Sequence, residues 1–160
     1  MKTILGTDIC LIEGISEVTI VDLVSEVGTD MNKWSNTKHF SAWLNVSPNT
    51  KISGGKVISS KMAKKKNRAG QALRMAASGL SQSKAPIGDY ARKMRARLGK
   101  KGGVVATAHK LSRVIYVLIK NKSEYNNEFM LREREKLKDF KILQLEKRLD
   151  ALKQSKALSA

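Results

Sequence analysis

Ser53 stands beside a Gly54-Gly55 pair in the stretch NTKISGGKVISSKMAKKKNRAG, residues 49–70, and a dense run of lysines follows it. A serine hydroxyl is a weak nucleophile unless a base deprotonates it or it faces a strongly polarised centre such as a phosphodiester phosphorus. Lys51 and Lys56 flank Ser53, and Lys61, Lys64, Lys65, Lys66 and Arg68 follow. Those cations could clamp a phosphate and stabilise charge on its oxygens as it is attacked. On spacing alone, a serine before Gly-Gly is equally a plain turn residue, and no general base stands next to it in sequence. Both readings stay open at this level.

Other catalytic sets are missing from the 160 residues. There is no phosphate-binding G-x-x-x-x-G-K-[ST] run and no H-E-x-x-H. The two histidines, His39 and His109, lie far apart and read as structural rather than as metal ligands. The lone Cys10 excludes an internal disulfide and a cysteine zinc site, and fits a reducing cytoplasm. No metal site and no cofactor are expected from the residues themselves.

Charge names the partner class. Of the net +17, residues 51–122 carry +18, with 19 basic residues against the single acid Asp89; residues 1–50 carry −3 and residues 123–160 carry +2. A block of one sign repels itself and calls for a polyanion, and phosphates repeating along DNA or RNA reward arrayed Lys and Arg. Hydrophobic residues make up 41%, mean hydropathy is −0.34, and no apolar run approaches the ~20 residues of a bilayer span, so no membrane partner is expected. The N-terminal apolar stretch, interrupted by Gly6 and Asp8, is too short for a signal peptide.

The periodicity predicts a mainly α-helical fold that must position the serine. Ser16 caps a helix with Glu17 in its first turn, Ile15 and Ile20 staple its start, Ile20, Val21, Val24 and Val27 form its apolar face, and Gly28 ends it. A second helix covers Lys38 to Leu44 and stops at Pro48. Lys51 to Ser59 alternates as a small β-hairpin turning at Gly54-Gly55. Helices follow over Ala72–Leu80, from Pro86 to Leu98, and over Val104–Ile119, with GKKGG (99–103) as a flexible connector. Beyond Glu124 charges of both signs alternate around Ile142, Leu145, Leu149 and Leu152, the seam of a long helix that is either a short coiled coil or a strut. Two domains are expected, 1–122 and a charged helical extension at 123–160.

The segment IEGIS also has the shape of a helix-hairpin-helix turn, in which backbone N–H groups at Gly14 and Ser16 would grip a DNA phosphate. Ser16 replaces the usual second glycine, and Glu13 and Glu17 carry the wrong charge, so a simple capped turn is the competing reading.

The ordered set IEGISEVTIVDLVSEVGTDMNKWSNTKHFSAWLNVSPNTKISGGKVISSK, NRAGQALRMAASGL and ARKMRARLGKKGGVVATAHKLSRVIYVLIKNKSEY resembles the C-terminal half of the bacterial insertion-sequence 110/116/902 transposases. The resemblance is strongest from Glu13 to Tyr125. It implies a nucleophilic serine at Ser53-Gly54-Gly55, oligomers, DNA as substrate and a structured guide RNA as partner. It also implies an N-terminal resolvase-like domain with four acidic Mg²⁺ ligands and a coiled coil after it. That acidic domain has no counterpart here, so the chain resembles a truncated or split transposase, inactive alone, cytoplasmic and nucleoid-associated. The rival reading is a non-catalytic helix-hairpin-helix-like DNA- or RNA-binding module; a basic ribosome-associated protein is a third.

Overall fold

A computed structural model describes residues 5–65 and 67–158, without the side chains of residues 129, 130, 133, 137 and 154–158. The fold is mainly α-helical with one small antiparallel hairpin, as the periodicity predicts. The helices are α1 (Glu17–Val27), α2 (Thr37–Trp43), α3 (Arg68–Gly79), α4 (Pro86–Asn121) and α5 (Glu128–Leu158); strands β1 (Lys51–Ser53) and β2 (Lys56–Ser59) lie between α2 and α3. The chain divides into two compact units, Met1–Tyr125 and Asn126–Ala160.

Local chemistry sets the helix starts. Ser16 Oγ accepts from the Thr19 N–H at 3.3 Å to cap α1. Asn36 Oδ1 accepts from the N–H groups of Lys38 and His39 at 2.9 and 3.0 Å to cap α2. Pro86 opens α4, where its missing N–H costs nothing. Gly28, at φ 74°, closes α1.

Three expectations need correction. The buried face of α1 is Ile20, Leu23 and Val27, whereas Val21 is 52% exposed. At 100° per residue, Leu23 falls in line with Ile20 and Val27, and Val21 turns away from them. Helix α2, Thr37–Trp43, ends where the sequence places its end, but Asn45, at φ 53°, rather than Pro48 breaks it. Most instructive is GKKGG, which is no flexible connector. Only Gly99 leaves helical geometry, at φ 73° and ψ 175°, a region open essentially to glycine. Lys100 then resumes the helix. A Cβ on Gly103 would sit 2.6 Å from Arg95 Cα, so glycine there lets the two halves of α4 pass close at a sharp kink.

The core lies under α4. Its second half buries Ala108, Leu111, Ile115 and Ile119 and packs on α2 and α3. An aromatic cluster seals this packing: Trp34 meets Phe40 edge-on with ring centroids 5.0 Å apart, Phe40 lies 5.6 Å from Tyr116, and Tyr116 Oη donates to the Trp34 carbonyl at 2.8 Å. Ser41 and Ser112 share a buried hydrogen bond of 2.7 Å between α2 and α4. By length and composition α4 could cross a bilayer, but half of its apolar window is buried within this unit.

Candidate nucleic-acid interface

Ser53 is the last residue of β1 and forms a cross-strand pair with Lys56 across the two-residue turn. Gly54 and Gly55 have φ of 55° and 73°, the double positive φ of a type I′ turn, which matches the twist of the flanking strands. Directly opposed residues project to the same face with Cβ atoms about 5 Å apart, so Ser53 and Lys56 share one face of the hairpin. Ser53 is exposed, and among the described residues its Oγ makes no side-chain hydrogen bond. Lys51 pairs with Ser59 beyond a bulge, and Asn49 N–H donates to the Lys61 carbonyl at 3.2 Å, closing the hairpin base.

The lysine run is pinned through its backbone at Ala63 and Lys65. Asn45 Nδ2 donates to the carbonyls of Ala63 and Lys65 at 3.0 and 2.8 Å. Arg74 reaches back from α3 to the Asn45 carbonyl at 3.0 Å. Asn67 works both ways: its Oδ1 accepts from Gly70 N–H at 2.7 Å, capping α3, while its Nδ2 donates to the Trp43 carbonyl at 3.1 Å. Gly70 packs so closely on the end of α2 that a Cβ would lie 1.8 Å from the Leu44 carbonyl oxygen. Sequence reading missed this clip of Asn45, Asn67, Gly70 and Arg74. Only Asn67 three residues before Gly70 carried a signal, that of a helix cap.

The predicted cations are unequal in the structure. Lys51, Lys56, Lys61 and Lys64 are exposed. Lys65, also exposed, lies over the Trp43 ring, 5.9 Å from its centroid. Arg68, 71% exposed in its side chain, pairs with Asp22 of α1 at 2.8 Å, so part of its charge is answered inside the fold. Lys66 lies outside the described residues.

Gly14 and Ser16 sit away from this loop in sequence. Gly14 has φ 85°, and a Cβ there would lie 2.7 Å from Leu80 Cδ2; Ser16 Oγ is occupied by the α1 cap. Glu13, next to Gly14, accepts a hydrogen bond from Ser83 Oγ, tying the turn to the segment before α4.

A cleft of about 720 Å³ opens beside the hairpin base, between Thr50, Ser60 and Met62 on one side and Leu98, Lys101 and His109 of α4 on the other. Burial, and secondarily the Arg113 guanidinium, lower the His109 pKa below its ordinary 6.5. The unfolded chain therefore binds the extra proton more readily. Stability from this group is full above about pH 6.5 and is lost as pH falls through the folded value. Thermal melts should show Tm falling as pH drops below about 6.5, by less in His109→Gln. An undiminished fall would assign the acid sensitivity to other groups.

Among the described residues, no three of His, Cys, Asp and Glu gather as metal ligands. The unit up to Tyr125 is thus a helical scaffold presenting an exposed, lysine-flanked hairpin, with a serine at its turn. Residues 7–92 match the family model described as Transposase IS116/IS110/IS902 family, and the chain belongs to that family. Neither a curated protein nor a solved structure matches it. Its role is transposase-related, and the family acts on DNA.

Proposed function

We propose that this chain is the serine-bearing, DNA-binding half of a transposase, with Ser53 as the nucleophile of strand cleavage. The observation that carries the reading is the placement of Ser53 at an exposed I′ turn directly across from Lys56, in a chain of transposase family. The Ser53 oxygen attacks a DNA phosphorus; the Oγ–P bond forms, one P–O bond of the backbone breaks, and the hydroxyl proton passes to the departing strand's oxygen. The ester bond lost is replaced by a phosphoserine ester, so the strand is held for rejoining. Lys56, with Lys51 nearby, neutralises the non-bridging oxygens as charge builds on them.

The carboxylates that would hold Mg²⁺ do not gather among the described residues, so the residues here do not fit that ion and no step is assigned to it. The acidic domain implied by the family resemblance would complete the site from outside this set of residues. A structured guide RNA is the second polyanion suited to the basic face, and the site of action is the cytoplasmic nucleoid. Covalent trapping tests the nucleophile. The chain fused to a family acidic domain, with guide RNA, Mg²⁺ and substrate DNA, should yield a denaturant-resistant protein–DNA adduct on the Ser53 peptide. A chain that binds DNA but never forms the adduct in any such fusion favours the non-catalytic binding module.

Binding by the chain alone can be measured directly. With about six phosphates neutralised, log K should fall with log salt at a slope near −5. Lys56, Lys61 and Lys64 together changed to Ala should flatten that slope by about 2 to 3 and weaken binding alike on unrelated sequences. Lys136→Ala with Lys147→Ala should leave it nearly unchanged. Equal losses from both sets would make the charged extension part of the binding surface.

A further inference from the structure

We propose that the cleft between the hairpin base and α4 takes an unpaired nucleobase, turned out of the stack of a DNA strand lying along the basic hairpin. The inference rests on the reading that the hairpin binds DNA. It does not need Ser53 to be a nucleophile, and its test does not involve cleavage.

The cleft has the size and lining of a small-molecule site. Its volume of about 720 Å³ falls within the ~300–1,000 Å³ usual for such sites. Val46, Met62, Leu98 and Val105 give it an apolar lining. Leu98 stands 49% exposed, so part of that lining faces water until a ligand covers it. Bases turned out of a helix are held in this way, between apolar side chains, with a few polar groups to meet their edges. Thr50, Ser60 and His109 supply those groups. A hydroxyl donates or accepts, and the imidazole, kept neutral at neutral pH by burial, does both through its two nitrogens. Base edges carry donors and acceptors alike.

Charge says what the base is attached to. Among the described residues, no Asp or Glu lines the cleft. Lys101 lines it, Lys51 follows Thr50, Lys61 stands between Ser60 and Met62, and all three are exposed. A free base or an apolar peptide would leave these cations unanswered. A base within a strand brings a phosphate on either side of it. The distance to the turn agrees with one strand serving both places. Thr50 lies three residues from Ser53, about 10 Å along β1, or about three base steps at ~3.4 Å of duplex rise. Phosphate contacts alone let a protein slide along DNA, whereas one base seated in the cleft fixes the register of the strand on the hairpin.

Competition binding of the full chain at fixed salt tests the proposal. The probes are a paired DNA duplex, the same duplex with one bulged nucleotide, and that bulge with its base removed. The bulged duplex should bind about tenfold tighter than the paired one, because its extra base is already free of a partner. The abasic bulge should fall back to within about twofold of the paired duplex. It keeps the flexibility of the bulge and loses only the base. Ala106→Phe fills the cleft and should erase the preference, with paired-duplex affinity unchanged within about twofold. Leu98→Ser removes an apolar contact at an exposed position and should cut the preference about threefold even if the larger ring disturbs α4. The same bulge in an RNA duplex separates the two sources of a base. Equal affinity for paired and bulged DNA overturns the proposal and leaves DNA binding by the hairpin standing; no binding to any DNA overturns both. A preference that persists on the abasic bulge, survives undiminished in both variants, or appears on RNA alone also overturns it.

Discussion

Gly70→Ala leaves little folded protein at physiological temperature. A Cβ at this position would lie 1.8 Å from the Leu44 carbonyl oxygen and 2.9 Å from its carbon. Both clashing atoms are main chain, so no rotamer change relieves them. Neither side can retreat: α3 is held at its cap by Asn67, and the end of α2 is held by the Asn67–Trp43 bond and by Arg74 on the Asn45 carbonyl. Relief requires separating α2 from α3, which exposes Leu44, Leu73 and Ala69. The expected loss is about 4 kcal/mol or more, in the range where single substitutions unfold marginal domains. Gly79→Ala in the same helix is the control. Nothing lies within 4 Å of a Cβ there, so it should stabilise by about 0.5 to 1 kcal/mol through helix propensity. Urea melts of both variants measure the contrast. Equal stabilities would show that α2 and α3 can move apart at small cost, and that the clip is not rigid.

Ser53→Ala should abolish the covalent protein–DNA adduct in the fusion with a family acidic domain while leaving DNA affinity within about twofold. The hydroxyl oxygen is the only atom lost. Ser53 is exposed and Gly54 and Gly55 still set the turn, so stability should change by no more than about 0.5 kcal/mol. The surrounding lysines remain, and phosphate contacts carry the affinity. Ser53→Cys should retain a trace of adduct, because a thiol attacks but is a poorer match for phosphorus. Ser59 and Ser60 are the internal controls. Ser59 pairs with Lys51 at the far end of the hairpin, and Ser60 lines the cleft. Their Ala variants should still form the adduct. An adduct surviving Ser53→Ala, or mapping to Ser59 or Ser60 by peptide mass, would move the nucleophile away from the turn.

What the sequence by itself determined is what neighbouring residues decide among themselves. Ser16 and Glu17 set the start of α1, Pro86 the start of α4, and Gly54-Gly55 the hairpin turn that places Ser53 across from Lys56, because caps and tight turns are satisfied within a few residues of backbone. The +18 block of residues 51–122 and the 3-4-3 seam of α5 were legible for the same reason, as sums and spacings along one chain. Tertiary structure alone decided the contacts between distant residues. Gly99 reads as loop in GKKGG, yet the close approach of Gly103 to Arg95 turns the segment into a kink within one helix. Arg68 reads as one more phosphate-binding cation, yet Asp22 of α1 lies 2.8 Å away. Asn45, Asn67 and Gly70 read as ordinary polar and small residues, and they become the clip that holds the lysine loop only because α3 packs on the end of α2. Spacing along the chain carries no measure of such approaches. They follow from how helices that each bury one face must stack, and from which residues are small enough, or polar enough, to be there when they do.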